Sequence, residues 1–297
     1  MDSEKKFQEI CKCPLCDSNK KAFMYMSRGG GGDDRLDEFA EEVSVVRCEE
    51  CGLIYSESVL TESEKKDFFS LYSSKVHEDS KETTGKRQTM YQLEFEYIAK
   101  YLDFSKSVKV LDVGCAEGKF LDFFSQEGLE CYGVEVGMEA ANIAESKYKV
   151  YKGNLPELEI NEKFDLIILR GVMQYFENPK DYFWKIDTLL NKSGLIYITS
   201  QPNMDSICHQ LFKDKFILPV CAIARNGFSK DVLVRYWGSK KYCLVGEKYF
   251  YEETPYADVH NDIEKVYRAA ELKKQGKTVD FRSPAFWGNM MTLVFKK

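Results

Sequence analysis

The stretch Val108-Lys-Val-Leu-Asp-Val-Gly-Cys-Ala-Glu-Gly-Lys-Phe120 decides how this chain is read. A short run rich in β-branched residues ends in Asp112 and passes through a turn bounded by Gly114 and Gly118. It then continues into the apolar Phe120-Leu-Asp-Phe-Phe124. The run has the character of a strand buried on both faces, and the segment after the turn that of a helix. The glycines permit a tight bend whose bare backbone comes close to a ligand at the helix start. Further on, Glu130-Cys-Tyr-Gly-Val134 predicts a second strand that ends in Glu135. A carboxylate at that place accepts hydrogen bonds from both hydroxyls of a ribose in nucleotide-binding sheets.

The dinucleotide fingerprint G-x-G-x-x-G uses its second glycine to admit a pyrophosphate. Here the turn is Gly114-Cys-Ala-Glu-Gly118, with two glycines and Asp112 just before them. A carboxylate there repels a pyrophosphate and suits an ammonium group, which points to S-adenosylmethionine and its amino-acid tail. Val110-Leu-Asp-Val-Gly-Cys-Ala-Glu-Gly118 resembles the first motif of class I S-adenosylmethionine-dependent methyltransferases.

The segments that follow extend the pattern. Residues 138–148 predict an amphipathic helix, 149–151 a third strand, and Phe164-Asp-Leu-Ile-Ile-Leu169 a fourth that is apolar almost throughout. A helix over 179–190 and a strand Gly194-Leu-Ile-Tyr-Ile-Thr199 complete a β-α-β-α-β series. The expected fold is therefore α/β, a doubly wound, Rossmann-like sheet of seven strands, with ligands beyond the carboxyl ends of the strands. The resemblance implies a cofactor set of Asp112, Gly114, Cys115, Gly118, Glu135, Asn154, Leu155 and Arg170. The adenine-binding place, usually Asp in the family, is Asn154, whose amide oxygen still accepts. Arg170 has two further readings, as a partner of a phosphate or carboxylate on the acceptor, or as a group that bonds the strand end. The segment from Phe164 to Pro179 resembles the family's fourth-strand motif. There the pair Gln174-Tyr175 is often Glu-His, so a histidine base does not carry over and Tyr175 stands in its place.

The 297 residues carry a net charge of −6 and no long basic run, which argues against nucleic acid as a partner. No apolar run is long enough to span a membrane, and Met-Asp-Ser-Glu-Lys-Lys lacks a signal core. Ten cysteines without such a signal predict a reducing, cytoplasmic setting in which paired cysteines bind metal. Cys13-Pro-Leu-Cys16 and Cys48-Glu-Glu-Cys51 form two such knuckles, predicting a structural Zn²⁺ held by four thiolates. Strands are expected over 22–26, 43–47 and 53–55, with the acidic loop Gly29-Gly-Gly-Gly-Asp-Asp34 between the knuckles. The domain plan is a zinc ribbon over 1–58, a helical linker and lid over 59–107, and the cofactor domain over 108–297. Removal of zinc is expected to loosen 1–58 and spare the cofactor fold.

Within the linker, a helix capped by Thr61 is expected over 60–69, then a polar lid over 73–86 holding His77. A second helix over 87–102 has Tyr91, Phe95, Ile98 and Leu102 on one stripe. Inserts over 205–226 and 247–289 are longer than a minimal cofactor fold needs and are expected to form the acceptor pocket. His209 and His260 are the candidate bases, beside Tyr175. The motifs together resemble bacterial methyltransferases with an N-terminal zinc ribbon, which implies a small, sugar-containing acceptor, nucleotide-linked or polysaccharide, methylated on O or C. Two other readings are open: an RNA or protein methyltransferase that docks substrate with the ribbon, and a cofactor-binding protein without catalysis.

Overall fold

Seven strands form the central sheet, in the order β12-β13-β10-β9-β6-β7-β8. They are β6 (Lys109–Val113), β7 (Glu130–Glu135), β8 (Lys149–Lys152), β9 (Phe164–Arg170), β10 (Leu190–Pro202), β12 (Cys243–Lys248) and β13 (Met290–Lys296). The computed structural model describes residues 6–28, 41–61, 63–65, 67–68 and 81–297. The acidic loop at 29–34, and the lid over 73–80 with His77, lie outside the described residues. β6 to β10 run parallel, and β13 lies antiparallel between β10 and β12. The doubly wound sheet is present, with the seventh strand inserted beside the sixth.

Period-two alternation sorts β10 onto two cores. Leu195 and Tyr197 pack with Phe95, Ile98, Phe124 and Val294 on one face. Ile196 and Ile198 pack with Phe183, Trp237 and Phe295 on the other. The first face is covered by α1 (Lys81–Ala99) and α2 (Leu121–Gln126). α3 (Met138–Glu145) follows β7, and its Ala144 joins this core. The second face is covered by α4 (Pro179–Leu189) and α6 (Lys230–Ser239). α6 is capped by Ser229, whose hydroxyl accepts from Val232 N, as its position before an apolar-periodic run predicts. α5 (Ile207–Phe212) and α7 (Val259–Lys274) lie in the two inserts, and Ala269 of α7 shares a third core with Cys208 and Phe212.

Two expectations change. The lid reading fails over 81–86, because α1 already begins at Lys81. Gly85 sits on its open side, where an added Cβ would meet nothing, so the helix runs through a residue of poor propensity. Leu60 is the last residue of a strand, β5 (Ser58–Leu60), which pairs with β1 (Phe7–Glu9); residues 63–65 and 67–68 are helical.

The cysteine-bearing segment forms a sheet of β2 (Lys21–Ser27), β3 (Val43–Cys48) and β4 (Ile54–Ser56). A fourth strand comes from far away: β11 (Asn226–Gly227) pairs Asn226 with Tyr55 and Gly227 with Ile54. Leu15, Val46, Leu53 and Tyr55 belong to the same buried cluster as Phe183, Phe228 and Trp237. The ribbon segment therefore shares a core with the central sheet. Among the described residues, no helix is long and apolar enough to cross a membrane.

Candidate functional site

β6 delivers Asp112 to the carboxyl edge of the sheet, and the chain then bends sharply. Gly114 has φ +79, and an added Cβ would stand 2.5 Å from Val172 Cγ1, so only glycine fits between the bend and the turn after β9. The Cys115 thiol turns inward against Gly133, where an added Cβ would lie 2.4 Å from Sγ. That leaves the backbone of the bend facing outward. Ala116 adopts φ +47, a conformation unfavourable for a residue with a Cβ. Its N–H donates to Glu135 Oε2 at 2.8 Å, while Gly137 N donates to Glu135 Oε1 at 2.7 Å. These charge-assisted bonds offset the strain at Ala116 and aim the carboxylate across the bend.

Behind the bend lies a buried ionic cluster. Asp112 is 2 % exposed, and its Oδ1 has no hydrogen-bond partner among the described residues. Burial pushes its carboxyl up to about 7; Arg170 opposes this, and the charges of Glu135 and Glu94 reinforce it. Arg170 donates from Nε to Glu94 Oε2 at 2.6 Å, and its guanidinium lies 4.5 Å from the Tyr91 ring centre. Glu94 is fully buried and also accepts from Thr199 Oγ1 at 2.9 Å and Ser200 Oγ at 2.5 Å. Ser200 reaches it because a β-bulge with φ +48 interrupts β10 there. Sequence reasoning missed Glu94. The signal was present, since a Glu three residues after Tyr91 and four before Ile98 falls on the apolar stripe of α1.

Two of the remaining expected cofactor residues follow β8, and Gly118 closes the bend after β6. Asn154 accepts from Tyr182 at 3.3 Å, and Leu155 beside it is fully buried. Gly118 has φ +78 and packs where an added Cβ would be 3.0 Å from the Tyr148 ring. Asp112, Gly114, Glu135 and Arg170 thus converge on one edge of the sheet, and Asn154 stands beyond β8 on the same edge.

The three catalytic candidates separate. His209 is 2 % exposed, with Nδ1 2.7 Å from the Met204 carbonyl and Nε2 2.8 Å from the Tyr25 hydroxyl. Nδ1 must donate to the carbonyl, so Nε2 accepts from Tyr25. Burial holds the imidazole below its usual range, in keeping with a neutral ring. Both nitrogens are committed, and His209 is a clamp between β2 and α5 rather than the expected base. His260 is exposed, on the first turn of α7. Tyr175 lines a small pocket with Gln174, Pro202, Met204, Leu218 and Asn226, at the carboxyl end of β10. Gln201 next to it is fully buried, with neither amide atom partnered among the described residues.

Cys13, Cys16, Cys48 and Cys51 bring four sulfurs within 4.8 Å of one another, with Cys13–Cys51 and Cys16–Cys48 each at 3.5 Å. A tetrahedron with Zn–S of about 2.3 Å has S–S edges near 3.8 Å, so the donor set and its size fit Zn²⁺. Cys11 is exposed and stands outside this group. The cations Lys20, Lys21 and Arg47 on the ribbon each face a carboxylate, from Glu50, Glu57 and Asp205. These three charges are therefore paired and not bare.

A family model described as a methyltransferase domain matches residues 84–282. A ubiquinone biosynthesis O-methyltransferase of Bradyrhizobium sp. (strain ORS 278) is 24% identical over 178 residues, 55% of this chain and 69% of that protein. A protein of the same name from Pelagibacter ubique (strain HTCC1062) is 27% identical over 136 residues, 43% of this chain and 56% of that protein. The chain thus spans between about half and two thirds of the length of these relatives. Among solved structures, magnesium protoporphyrin IX methyltransferase from Synechocystis PCC 6803 with bound S-adenosylhomocysteine superposes with a TM-score of 0.52. It is 12% identical, and the match covers 80% of this chain and 100% of that one, which shows a shared fold.

Proposed function

Because the chain belongs to the methyltransferase-domain family, we propose that it moves a methyl group from S-adenosylmethionine to a hydroxyl of a small, ring-bearing acceptor. The observation that carries this reading is Glu135, a carboxylate locked across a bare bend by Ala116 N and Gly137 N. Its remaining lone pairs suit the two ribose hydroxyls. Asp112 takes the ammonium of the amino-acid tail, and the guanidinium of Arg170 beside it takes the carboxylate. Asn154 accepts from the adenine amino group. Bound S-adenosylmethionine would supply an activated methyl carbon to an acceptor oxygen and would leave as the neutral thioether, the hydroxyl proton passing to water. The chain's residues contribute positioning and exclusion of water. Of the three expected catalytic groups, Tyr175 is the one at the pocket, where its hydroxyl would orient the acceptor by a hydrogen bond and not serve as a base, since a phenol stays protonated near pH 7. A nucleotide-linked or polysaccharide sugar is one acceptor class that fits; the other is a ring hydroxyl of a ubiquinone-related molecule, in line with relatives named ubiquinone biosynthesis O-methyltransferase.

Calorimetry with S-adenosylhomocysteine tests the reading. Wild type should bind, and Glu135→Ala should lose about 3 kcal/mol, roughly a hundredfold in affinity, for two charge-assisted bonds. Wild-type protein that fails to bind this compound sinks the proposal.

The four thiolates hold a structural Zn²⁺ in this reading, supported by their number and spacing. The shared core changes what zinc removal should do. Leu15, Val46, Leu53 and Tyr55 pack with Phe183 and Trp237, and β11 ties the ribbon sheet to an insert. Chelation is therefore expected to lower the melting of the whole chain in a single transition. Two separated transitions in scanning calorimetry, with the upper one unmoved, would instead restore an independent ribbon.

A further inference from the structure

We propose that Glu94 is the positioning residue of a slot for the zwitterionic amino-acid tail of S-adenosylmethionine. It holds the Arg170 guanidinium away from the Asp112 carboxylate, so that each stays open to the opposite charge on the ligand. The proposal rests on the methyltransferase reading and adds to it a residue that touches no ligand.

Register brings the charges together. Asp112 on β6 lies beside Ile168 of β9, and Arg170 stands two residues further along β9. By the period of two, both side chains leave the sheet on the face that packs Val110 and Ile168 against α1. Glu94 lies on that helix with no exposed surface. Of the nearby charges, Arg170 acts most strongly on Asp112. A carboxylate and a guanidinium so placed ordinarily close into an ion pair. Here they do not: among the described residues the ion pair of Arg170 is with Glu94, and Asp112 Oδ1 has no partner.

The contacts around Arg170 explain this. Glu94 Oε2 accepts from Arg170 Nε at 2.6 Å, and the guanidinium lies 4.5 Å from the Tyr91 ring centre and 5.8 Å from that of Phe120. Glu94 is itself fixed, because Oε1 accepts from the hydroxyls of Thr199 and Ser200. Nε is thus spent on Glu94, and the two terminal nitrogens of the guanidinium remain for a carboxylate. An open guanidinium fork beside an unpaired carboxylate matches the two charges of an α-amino acid. Without Glu94, Arg170 would turn onto Asp112, and the two would neutralise each other and close the slot.

The test is calorimetry on the full chain with S-adenosylhomocysteine, its analogues lacking the carboxylate or the amine, and 5′-methylthioadenosine, which has no tail charges. Wild type should bind S-adenosylhomocysteine about tenfold or more tightly than either truncated analogue. Glu94→Met should bring both ratios within about threefold while the affinity for 5′-methylthioadenosine stays within about twofold. Glu94→Gln should keep both ratios, because its amide oxygen still accepts from Nε while its N–H groups donate to Thr199 and Ser200. Glu94→Asp, a methylene shorter, withdraws the anchor but keeps the charge, and gives the methionine readout if that variant does not fold. The proposal is overturned if wild type shows no preference for the intact tail, if both ratios survive in the methionine or aspartate variant, or if 5′-methylthioadenosine is lost in parallel. Wild-type protein that binds none of these nucleosides would overturn the methyltransferase reading as well.

Discussion

Affinity for S-adenosylhomocysteine is expected to fall about tenfold for each pH unit below 7 and to level off above it. The cause is Asp112, whose buried carboxyl is pushed up to about 7 and must be ionised to hold the ligand's ammonium. Between pH 8.5 and 5.5 the loss should reach roughly thirtyfold, because only about 3 % of Asp112 is ionised at the lower value. Asp112→Asn should bind more weakly at high pH and show a flattened profile. A wild-type profile already flat between pH 5.5 and 8.5 would remove Asp112 from the ammonium role.

The same shift has a stability consequence of opposite sign. A carboxyl whose folded value lies above its unfolded value of 3.8 stabilises the fold below 3.8, and that contribution is lost as pH rises toward 7. Keeping Asp112 ionised in the free protein thus costs up to about 4 kcal/mol at pH 8. Asp112→Asn is expected to raise the melting temperature of ligand-free protein at pH 8 while weakening the ligand, a trade typical of binding sites.

The second large effect is expected at Glu94. Glu94→Ala leaves Arg170 partly buried without its partner and strips Thr199 and Ser200 of an acceptor. Breaking one side of a buried pair costs about 3–5 kcal/mol, which at about 2 °C per kcal/mol lowers melting by roughly 6–10 °C. Arg170→Met alone should also destabilise, by leaving the fully buried Glu94 uncompensated. The double variant Glu94→Leu, Arg170→Met should recover much of the loss, because it removes both charges. Additive losses in the double variant would show that the two residues act separately.

What the chain's letters determined by themselves are features written over a few neighbouring positions. The bend at Gly114, the alternation along β9 and β10, the cap at Ser229 and the two cysteine knuckles each depend on spacing within one element. Position along the sheet then followed from connection rules, which is why Asp112, Glu135 and Asn154 were legible as one edge. Tertiary structure alone decided the rest, because those choices join residues far apart in sequence. Glu94 meets Thr199 across 105 positions, and Tyr25 meets His209 across 184. A glutamate on a helix stripe and a histidine in an insert carry no local mark of the partner that will neutralise or engage them. Whether a buried polar group becomes a clamp, an ionic anchor or a waiting acceptor depends on which of its atoms the fold has already satisfied.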